Sequence, residues 1–593
     1  MTKETTLTGS GKYLGYFQSL VGSRIYLSLA LSVVITLFDS VGIGLLVAIL
    51  QFMANSENGD SSLSLNAYYK QVFGQDATFL MLILIAIFIF LLKGLLTFTQ
   101  YSVQARMTTT IISKTRHNIL DSIVNLNFAS FTKTDLGTIQ NISTSEVGRL
   151  NIALNSYLKT GQYLIMSVVY LALAIVFDPV FSFLIIFTAL AVLYLYNFII
   201  KYFKKLSRQI LSSRNQYSSF LTQLLTNYKY LKTTDTIDKY SRKVKDQIDH
   251  TESLNYRFLK INAITDSARE PIILVMISLA IILLFHVKGG IGISMIFTML
   301  LFYRTLNNVL LIQANWQGFH QNSGSVDRII SIQEEFSKDM EAIGTDSAFH
   351  IAGRISLEKV DLNLSDKQIL SDISLTLEKN STTALVGPSG AGKTTLASVI
   401  TGLIQPNSGN ISINNRLLES SDLKGYRRKI GFVTQDPVIF NDTLFNNITL
   451  WEEKNSQSVK RFSEICRMTH LEDFVQAQLD KEDMQLGDFG ITLSGGQKQR
   501  ISIARELYRD VELLVFDEAT SSLDAITEQI IRENIQSIRG KVTIILIAHR
   551  LSTIRFADRI YFIEGGRITA SGTYDELMQT SPDFLKMVNL QSG

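Results

Sequence analysis

Hydrophobic and polar positions divide the chain into two contrasting parts. Long apolar runs occur before about residue 320, whereas the chain after about residue 350 has the pattern of a soluble α/β domain. A helix needs roughly 20 mostly apolar residues to cross a bilayer. The alternative is that these apolar runs are buried helices of a soluble protein. So many apolar runs in one half of the chain make that interpretation a poor one. We therefore predict six membrane spans: Ile25–Met53, Thr78–Phe98, Leu158–Phe177, Phe181–Ile200, Ile272–His286 and Ile291–Ile312.

Basic residues orient these spans, because cytoplasmic connections of membrane proteins are rich in Lys and Arg. The connections after the second and fourth runs are basic, long and helical in their periodicity. Their basic residues are Arg106, Lys114, Arg116 and Lys133 in the first, and Lys204, Lys205, Arg208, Arg214, Lys229, Lys232, Lys239, Arg242, Lys243 and Lys245 in the second. We predict that both connections are helices extending into the cytosol and that both termini lie there.

Composition agrees with a membrane protein. Charged residues make up 18% of the chain, against about 25% in ordinary soluble domains. The net charge of +3 gives no global field that would attract nucleic acid. A single cysteine, Cys466, excludes a disulfide within the chain and is expected in the core. The predicted domains are a membrane domain over 1–335, a polar linker over 336–353 and a soluble α/β domain over 354–593.

The first chemical motif is a phosphate loop between a strand and a helix. A β-rich run, Thr382–Val386, leads into the loop, and a helical pattern follows it. The residues expected to hold phosphate and magnesium are Gly387, Pro388, Ser389, Gly390, Ala391, Gly392, Lys393, Thr394 and Thr395. Glycines let backbone amides surround phosphate oxygens. Lys393 is expected to reach the β- and γ-phosphates of ATP, and Thr394 to bind Mg²⁺.

A second motif follows a short apolar run, Leu513–Phe516, that is typical of a buried parallel strand. Asp517 at its end is predicted to hold Mg²⁺, directly or through water. Glu518 is predicted to polarise the attacking water as the general base. A third motif consists of Ser494, Gly495, Gly496 and Gln497 before a helical run, which makes a second anion-binding helix end. One nucleotide does not need two such ends, so this one is expected to serve ATP held by another copy.

The order of GPSGAGKTT, FVTQDP, LSGGQKQR, LLVFDEATSSLD and IAHR resembles the ATP-binding-cassette family over Ile355–Gly593. The resemblance implies a head-to-tail dimer, most simply a homodimer, with two ATP molecules at its interface. It assigns Gln435 to Mg²⁺ and the membrane domain, Ser522–Asp524 to the loop that links the two sites, and His549 to the γ-phosphate. Leu364 stands where the family usually has an aromatic residue that stacks on adenine. Gly487–Gly490 also departs from the usual Glu-Arg pattern.

Six spans before one cassette resemble a half-size exporter, in which two chains form one transporter. The resemblance places coupling helices at Asp135–Ile142 and Leu221–Leu231, with ordinary solvated helices as the alternative. The expected cargo is a lipid, glycolipid, peptide or other amphipathic solute that crosses by alternating access. An ATP-gated channel or a regulatory membrane protein is the alternative function. The segment around Asp39 is also similar to the first span of bacterial flippases for lipid-linked oligosaccharides.

Ionisable residues inside spans are costly, which makes them candidates for function. Asp39 in the first span and Lys93 in the second lie at similar depth, counted from the outer ends at about 1.5 Å per residue. They are predicted to form an ion pair or to face the cargo cavity together, and a purely structural pair is the alternative. Arg304 in the sixth span is a further candidate for the cavity.

Overall fold

The computed structural model describes residues 10–55, 79–134, 136–288, 293–341, 349–364, 367–487, 490, 493–517, 536, 538–547 and 554–592. The chain forms two compact units. The first, called here the helical unit, comprises Met1–Ser122 and Leu136–Glu335. The second, called the sheet unit, comprises Ile123–Asp135 and Phe336–Gly593. Ile123–Asp135 groups with the sheet unit, although it lies inside the predicted membrane domain, residues 1–335. The chain therefore passes between the two units more often than the predicted domain limits imply.

Long helices make up the helical unit, as its apolar runs require. In chain order the helices up to residue 338 are α1 (Ser10–Val21), α2 (Arg24–Asn55), α3 (Phe79–Val124), α4 (Phe128–Lys133), α5 (Leu136–Asn141), α6 (Val147–Phe177), α7 (Pro179–Thr226), α8 (Tyr228–Thr233), α9 (Ile237–Lys288) and α10 (Ile293–Lys338), with a π-helical turn at Ile142–Glu146. Within the described residues, four segments are long and apolar enough to cross a membrane: Arg24–Ile49, Met81–Val124, Gly137–Phe177 and Ile296–Lys338. The count of six spans stays a prediction.

The inner face of α2 carries a seam of small polar residues. Ser28, Ser32, Thr36 and Ser40 are spaced by four residues and are all buried. Each of the last three donates its hydroxyl to the carbonyl four residues earlier. Gln100 of α3 donates to the Ser28 carbonyl and the Ser32 hydroxyl, at 2.9 Å and 2.6 Å. Small hydroxyl residues let membrane helices approach closely and hydrogen-bond, so the seam fixes how α2 and α3 pack.

The sheet unit contains two sheets and a set of shorter helices. Its elements after α10 are β1 (Ile355–Leu364), β2 (Lys367–Leu377), β3 (Thr382–Val386), α11 (Lys393–Ile400), β4 (Ser408–Ile413), β5 (Arg416–Leu417), α12 (Leu423–Arg428), β6 (Ile430–Val433), α13 (Leu444–Thr449), α14 (Ser456–Met468), α15 (Glu472–Gln476), α16 (Gly495–Tyr508), β7 (Leu513–Asp517), β8 (Thr543–Ile547), β9 (Arg559–Glu564), β10 (Arg567–Gly572), α17 (Tyr574–Thr580) and α18 (Pro582–Ser592). One sheet has the order β2-β1-β4-β5 and is antiparallel.

The second sheet has the order β10-β9-β3-β8-β7-β6 and positions the candidate site. Its neighbours from β9 to β6 are parallel, and only β10 runs the other way. All residues of β3, β7 and β8 are buried, as expected for parallel strands covered on both faces. The parallel strands β3, β6, β7 and β8 all end at the same edge. Ligands of open α/β sheets bind at this carboxyl edge.

The first residues of the predicted linker are helical. Helix α10 continues to Lys338, and Phe336 is only 4% exposed. Cys466 is buried in the core around α14, as predicted, and burial raises the pKa of its thiol to about 12. This thiol is therefore protonated at neutral pH and packs as an apolar side chain.

Candidate nucleotide site

The phosphate loop connects β3 to α11 at the carboxyl edge of the parallel sheet. Lys393 is 5% exposed, and its Nζ donates to the carbonyl oxygens of Gly387 and Pro388, each at 2.9 Å. The side chain of Lys393 folds back over the loop, so its ammonium group lies beside the backbone of the loop. That arrangement places positive charge and N–H donors at one helix end, which is the arrangement that binds phosphate.

Two glycines make the turn possible for steric reasons. A Cβ atom at Gly387 would lie 2.0 Å from the carbonyl oxygen of Ile563 in β9. Gly392 caps α11 with φ of 96°, and a Cβ there would lie 3.0 Å from Leu370. The loop therefore packs so closely against β9 and β2 that only glycine fits at these two positions.

Thr394 and Asp517 come together from different parts of the chain. The Thr394 hydroxyl donates to Asp517 Oδ1 over 3.3 Å. Thr394 is exposed, whereas Asp517 is 8% exposed at the end of β7. A hydroxyl beside a carboxylate at the mouth of a phosphate loop is a set of hard oxygen donors, which suits Mg²⁺. Two of the three residues predicted for this ion, Thr394 and Asp517, therefore fit it, and the sheet order accounts for their meeting.

The third motif forms a helix end with a reciprocal cap. The Ser494 hydroxyl accepts from the amide of Gln497 at 3.2 Å, and Gln497 Oε1 accepts from the amide of Ser494 at 2.8 Å. Ser494, Gly495, Gly496 and Gln497 thus form the start of α16. Each of the two side chains thus accepts from the other residue's backbone amide, while the first turn of the helix keeps its positive end.

The remaining predicted residues divide into two groups. Gln435 is exposed and follows β6 at the same edge as Asp517. Glu518, Ser522, Asp524 and His549 lie outside the described residues, and their roles stay predictions. Glu518 directly follows Asp517 in the sequence, and His549 comes two residues after Ile547. Asp517 and Ile547 are paired with each other at the ends of β7 and β8. Leu364 ends β1 and is partly buried against the core beneath the antiparallel sheet.

Asn447 and Arg505 hold this part of the sheet unit together, and sequence reasoning missed both. Asn447 is fully buried, and its amide bonds the backbone of Phe440 at both N and O, at 2.9 Å and 3.0 Å. Arg505 of α16 donates from Nε to the Asn447 carbonyl at 2.7 Å and from Nη2 to its side-chain oxygen at 3.2 Å. The pair thereby joins the segment after Gln435 to the helix that begins at Ser494. Asn447 and Arg505 are far apart in the sequence, so no local sequence pattern indicates this contact.

The helical unit contains the ion pair considered from the sequence. Lys93 Nζ contacts Asp39 Oδ1, and the Tyr170 hydroxyl donates to Asp39 Oδ2 at 2.5 Å. Arg304 Nε lies 3.9 Å from the same Oδ2. Asp39 has only 4% of its side chain exposed, compared with 27% for Lys93 and 45% for Arg304. Tyr170 was not predicted, since a tyrosine among apolar residues has no distinguishing pattern.

The two segments predicted as coupling helices differ in form. The first, Asp135–Ile142, contains the short helix α5. The second, Leu221–Leu231, contains the end of α7, a break at Asn227 and the start of α8. Tyr228 and Tyr230 on α8 are 50% and 69% exposed. Their function as coupling helices stays a prediction.

Comparison with known proteins matches both halves of the chain. Residues 25–310 match the model of the ABC transporter transmembrane region, and residues 370–521 match that of the ABC transporter. A bacterial Atm1-family ABC exporter with ATP bound has a similar structure, with a TM-score of 0.77, 20% identity, and coverage of 96% of this chain and 98% of that one. This likeness confirms the predicted fold class, a helical membrane region followed by an α/β domain.

Curated relatives match over different lengths. An ATP-dependent lipid A-core flippase of Alkalilimnicola ehrlichii is 28% identical over 85% of this chain and 86% of its own. A multidrug resistance ABC transporter ATP-binding and permease protein of Lactococcus lactis is 30% identical over 65% of this chain and 66% of its own. The heterocyst differentiation ATP-binding protein HepA of Nostoc is 42% identical over 40% of this chain. That alignment spans 39% of the Nostoc protein, and another spans 18% of P-glycoprotein 14 of Caenorhabditis elegans.

Proposed function

This chain belongs to the ABC transporter family, and we propose that it is an ATP-hydrolysing exporter or flippase that moves an amphipathic substrate. The observation that supports ATP hydrolysis most directly is the meeting of Lys393, Thr394 and Asp517 at one sheet edge. Lys393 binds the phosphates, and Thr394, Asp517 and Gln435 hold Mg²⁺, which neutralises charge on the phosphates. Glu518 acts as the general base, and His549 contacts the γ-phosphate. The proposed domain limits are 1–335, 336–353 and 354–593.

Two copies of the chain complete each ATP site. The start of α16 is an anion-binding helix end whose own phosphate loop lies elsewhere in the chain. In the proposed homodimer, Ser494–Gln497 of one copy closes on the ATP held by the phosphate loop of the other copy. Asp524 lies at the interface between the two copies. The protein lies in a cytoplasmic membrane of bacterial type with its sheet unit on the cytosolic side.

The cluster around Asp39 favours a substrate with an acidic headgroup. One carboxylate contacts two cations, Lys93 and Arg304, so the formal charge of the three groups is positive. Lys93 is held closely by Asp39, whereas Arg304 lies farther away and is nearly half exposed. An excess cation at membrane depth is costly unless an anion approaches it. A phosphate-bearing headgroup supplies that anion and fits the planar guanidinium of Arg304.

Replacing Arg304 with glutamine is expected to remove the preference for acidic lipid. The chain is reconstituted in proteoliposomes, and ATP-dependent movement of fluorescent phosphatidylglycerol is compared with that of fluorescent phosphatidylcholine. A charge-assisted hydrogen bond contributes about 1.5–3 kcal/mol, so the preference for phosphatidylglycerol should fall about tenfold. Arg328→Gln on the same helix is the control, because Arg328 lies outside the cluster. Equal preference before and after Arg304→Gln would contradict the proposed headgroup.

The alternative function is an ATP-gated channel or regulator. Planar bilayer recordings on the same preparation distinguish it from the exporter. A steady ion current in ATP with no turnover-coupled lipid movement would support the channel.

A further inference from the structure

Helices α6 and α10 of the helical unit pack side by side in opposite directions. The residues that meet, taken backwards along α6, are Phe177 with Phe297, Tyr170 with Arg304 through Asp39, and Ser156 with Gly318. The first pair has ring centroids 4.9 Å apart, and in the last pair a Cβ atom at Gly318 would lie 3.0 Å from Ser156 Oγ.

The spacing of these contacts gives the register of the two helices. Phe177 and Tyr170 are seven residues apart, as are Phe297 and Arg304. The next contact lies fourteen residues farther along both helices. Equal steps mean that the register is constant, so facing residues can be identified between the contacts.

Ser167 and Asn308 face each other in this register. Ser167 lies three residues before Tyr170, and Asn308 lies four residues after Arg304. Residues three or four apart share one face of a helix. Both side chains therefore lie on the faces that meet at Asp39, about 4.5–6 Å along the helix axes from Tyr170 and Arg304, at 1.5 Å per residue.

Both side chains carry a buried polar atom without a hydrogen bond. Ser167 is 8% exposed and Asn308 is 7% exposed. Among the residues that the structure describes, Ser167 Oγ and Asn308 Nδ2 have no hydrogen-bond partner. A buried polar atom without a partner is costly, and most costly at membrane depth, where water is scarce. Two such atoms on facing helices indicate a partner that the described chain does not itself supply.

The chemistry of the two atoms restricts that partner. Asn308 Nδ2 is a donor and needs an acceptor, whereas the Ser167 hydroxyl can donate or accept. Neither side chain is charged, so neither can offset a phosphate, which suits the guanidinium of Arg304 one turn away. A hydroxyl group both donates and accepts, so neutral hydroxyls satisfy both atoms. Arg304 is nearly half exposed, so a headgroup can reach this part of α10.

We propose that Ser167 and Asn308 form a subsite for the hydroxyl groups of the transported lipid's headgroup, one helical turn from the residue that binds its phosphate. This proposal rests on the proposed function and narrows its substrate class to lipids whose phosphate carries a polyol or a sugar. The headgroup reaches the subsite when α6 and α10 separate during transport. A lipid of equal charge without hydroxyls leaves both side chains unpaired and is bound less well.

Two lipids that differ only in their hydroxyls test the subsite. Phosphatidylglycerol and phosphatidylpropanol carry the same phosphodiester charge, but a propyl group replaces the glycerol in the second. Phosphatidylinositol adds a ring of hydroxyls that resembles a sugar. The affinity of the full chain for each lipid is measured in micelles, without nucleotide, from the rise in unfolding temperature that the lipid causes. ATP-dependent movement of fluorescent forms of the same lipids is measured in proteoliposomes.

The unchanged chain should bind phosphatidylglycerol about tenfold more tightly than phosphatidylpropanol, as expected when buried polar groups gain or lack a partner. The preference should fall to about threefold in Ser167→Ala and in Asn308→Leu and disappear in the double variant. Affinity for phosphatidylpropanol should stay within about twofold in all three. Ser167→Thr keeps the hydroxyl and should keep the preference.

Gln313→Leu is the matched control for the loss of a buried amide. Gln313 is 6% exposed, and its Oε1 also has no partner among the described residues. It lies nine residues after Arg304 and therefore on the opposite face of α10. The preference for phosphatidylglycerol should be unchanged in this variant.

The order of the two hydroxyl-bearing lipids identifies the headgroup. Tighter binding of phosphatidylinositol would indicate a cyclic, sugar-like headgroup, and tighter binding of phosphatidylglycerol an open polyol; either order supports the subsite. Equal affinity of the unchanged chain for all three lipids would mean that water pairs with the two atoms, and would overturn the proposal. A preference that survives the double variant would overturn it as well. A preference intact in micelles, with no ATP-dependent movement of any of the lipids, would support the subsite but contradict the proposed function.

Discussion

The Lys393→Ala variant is expected to hydrolyse ATP about a hundredfold more slowly than the unchanged chain, since loss of one oriented donor to developing charge costs 10²–10³ in rate. Lys393 is buried, and its ammonium group is held against Gly387 and Pro388 at the start of the phosphate loop. Alanine removes the only side-chain cation that the loop itself carries over Gly387–Thr394. The loop amides remain, so weak nucleotide binding should persist.

Phosphate release in phospholipid vesicles measures this effect, and a fluorescent ATP analogue reports binding on the same sample. Lys424→Ala is the matched control, because Lys424 is an exposed lysine on α12. Unchanged release by Lys393→Ala would mean that the phosphate loop is not where ATP reacts.

The second large effect is expected in the membrane half. Asp39→Asn should lower the free energy of unfolding by about 1.5–3 kcal/mol, the usual contribution of a hydrogen bond to a charged group. The variant replaces one of the two carboxylate oxygens with an NH₂ group that cannot accept a hydrogen bond, so Lys93 and Tyr170 cannot both keep their acceptor. It also removes the negative charge that Lys93 and Arg304 approach. Unfolding in mixed micelles measures the change.

A double variant separates pairing from independent effects. Asp39→Asn combined with Lys93→Met removes both charges, so its loss of stability should be smaller than the sum of the two single losses by about 0.5–3 kcal/mol. Tyr170→Phe should cost about 1 kcal/mol, the value of one hydrogen bond. Additive losses from Asp39 and Lys93 would show that the contact contributes nothing.

Features encoded over a few residues could be predicted from the sequence. The phosphate loop is a local pattern, and the meeting of Thr394 with Asp517 follows from parallel strands ending at one edge. The depth of Asp39 and Lys93 followed from helix geometry, because the rise per residue is constant. These predictions needed only periodicity, glycine positions and the rules of parallel sheets.

Features that depend on distant contacts could not be predicted in this way. Tyr170 reaches Asp39 from a helix whose rotation no local pattern gives. Asp339 and Glu341 lie in a stretch predicted only as a polar linker, yet they pair with Asn127 and Arg427. Asn447 and Arg505 are polar residues whose burial depends on their meeting inside the core. Each of these residues acquires its role only when the fold brings a partner to it.

The central claim is that each ATP site is completed by a second copy of the chain, and mixed dimers test it most directly. Two differently tagged chains are purified as a mixed dimer, and the defects are Lys393→Ala in the phosphate loop and Ser494→Arg at the start of α16. In one preparation each chain carries one defect. In the other, one chain carries both defects and its partner carries none.

The two arrangements give opposite results under the two models. If each site is formed by two chains, defects on separate chains inactivate the same site and leave the other site intact. Two defects on one chain instead damage both sites. ATP hydrolysis should therefore persist at a substantial fraction of the wild-type rate with separate defects and nearly vanish with both on one chain. The reverse result, activity only when one chain carries both defects, would show that each chain forms its own site and would contradict this account.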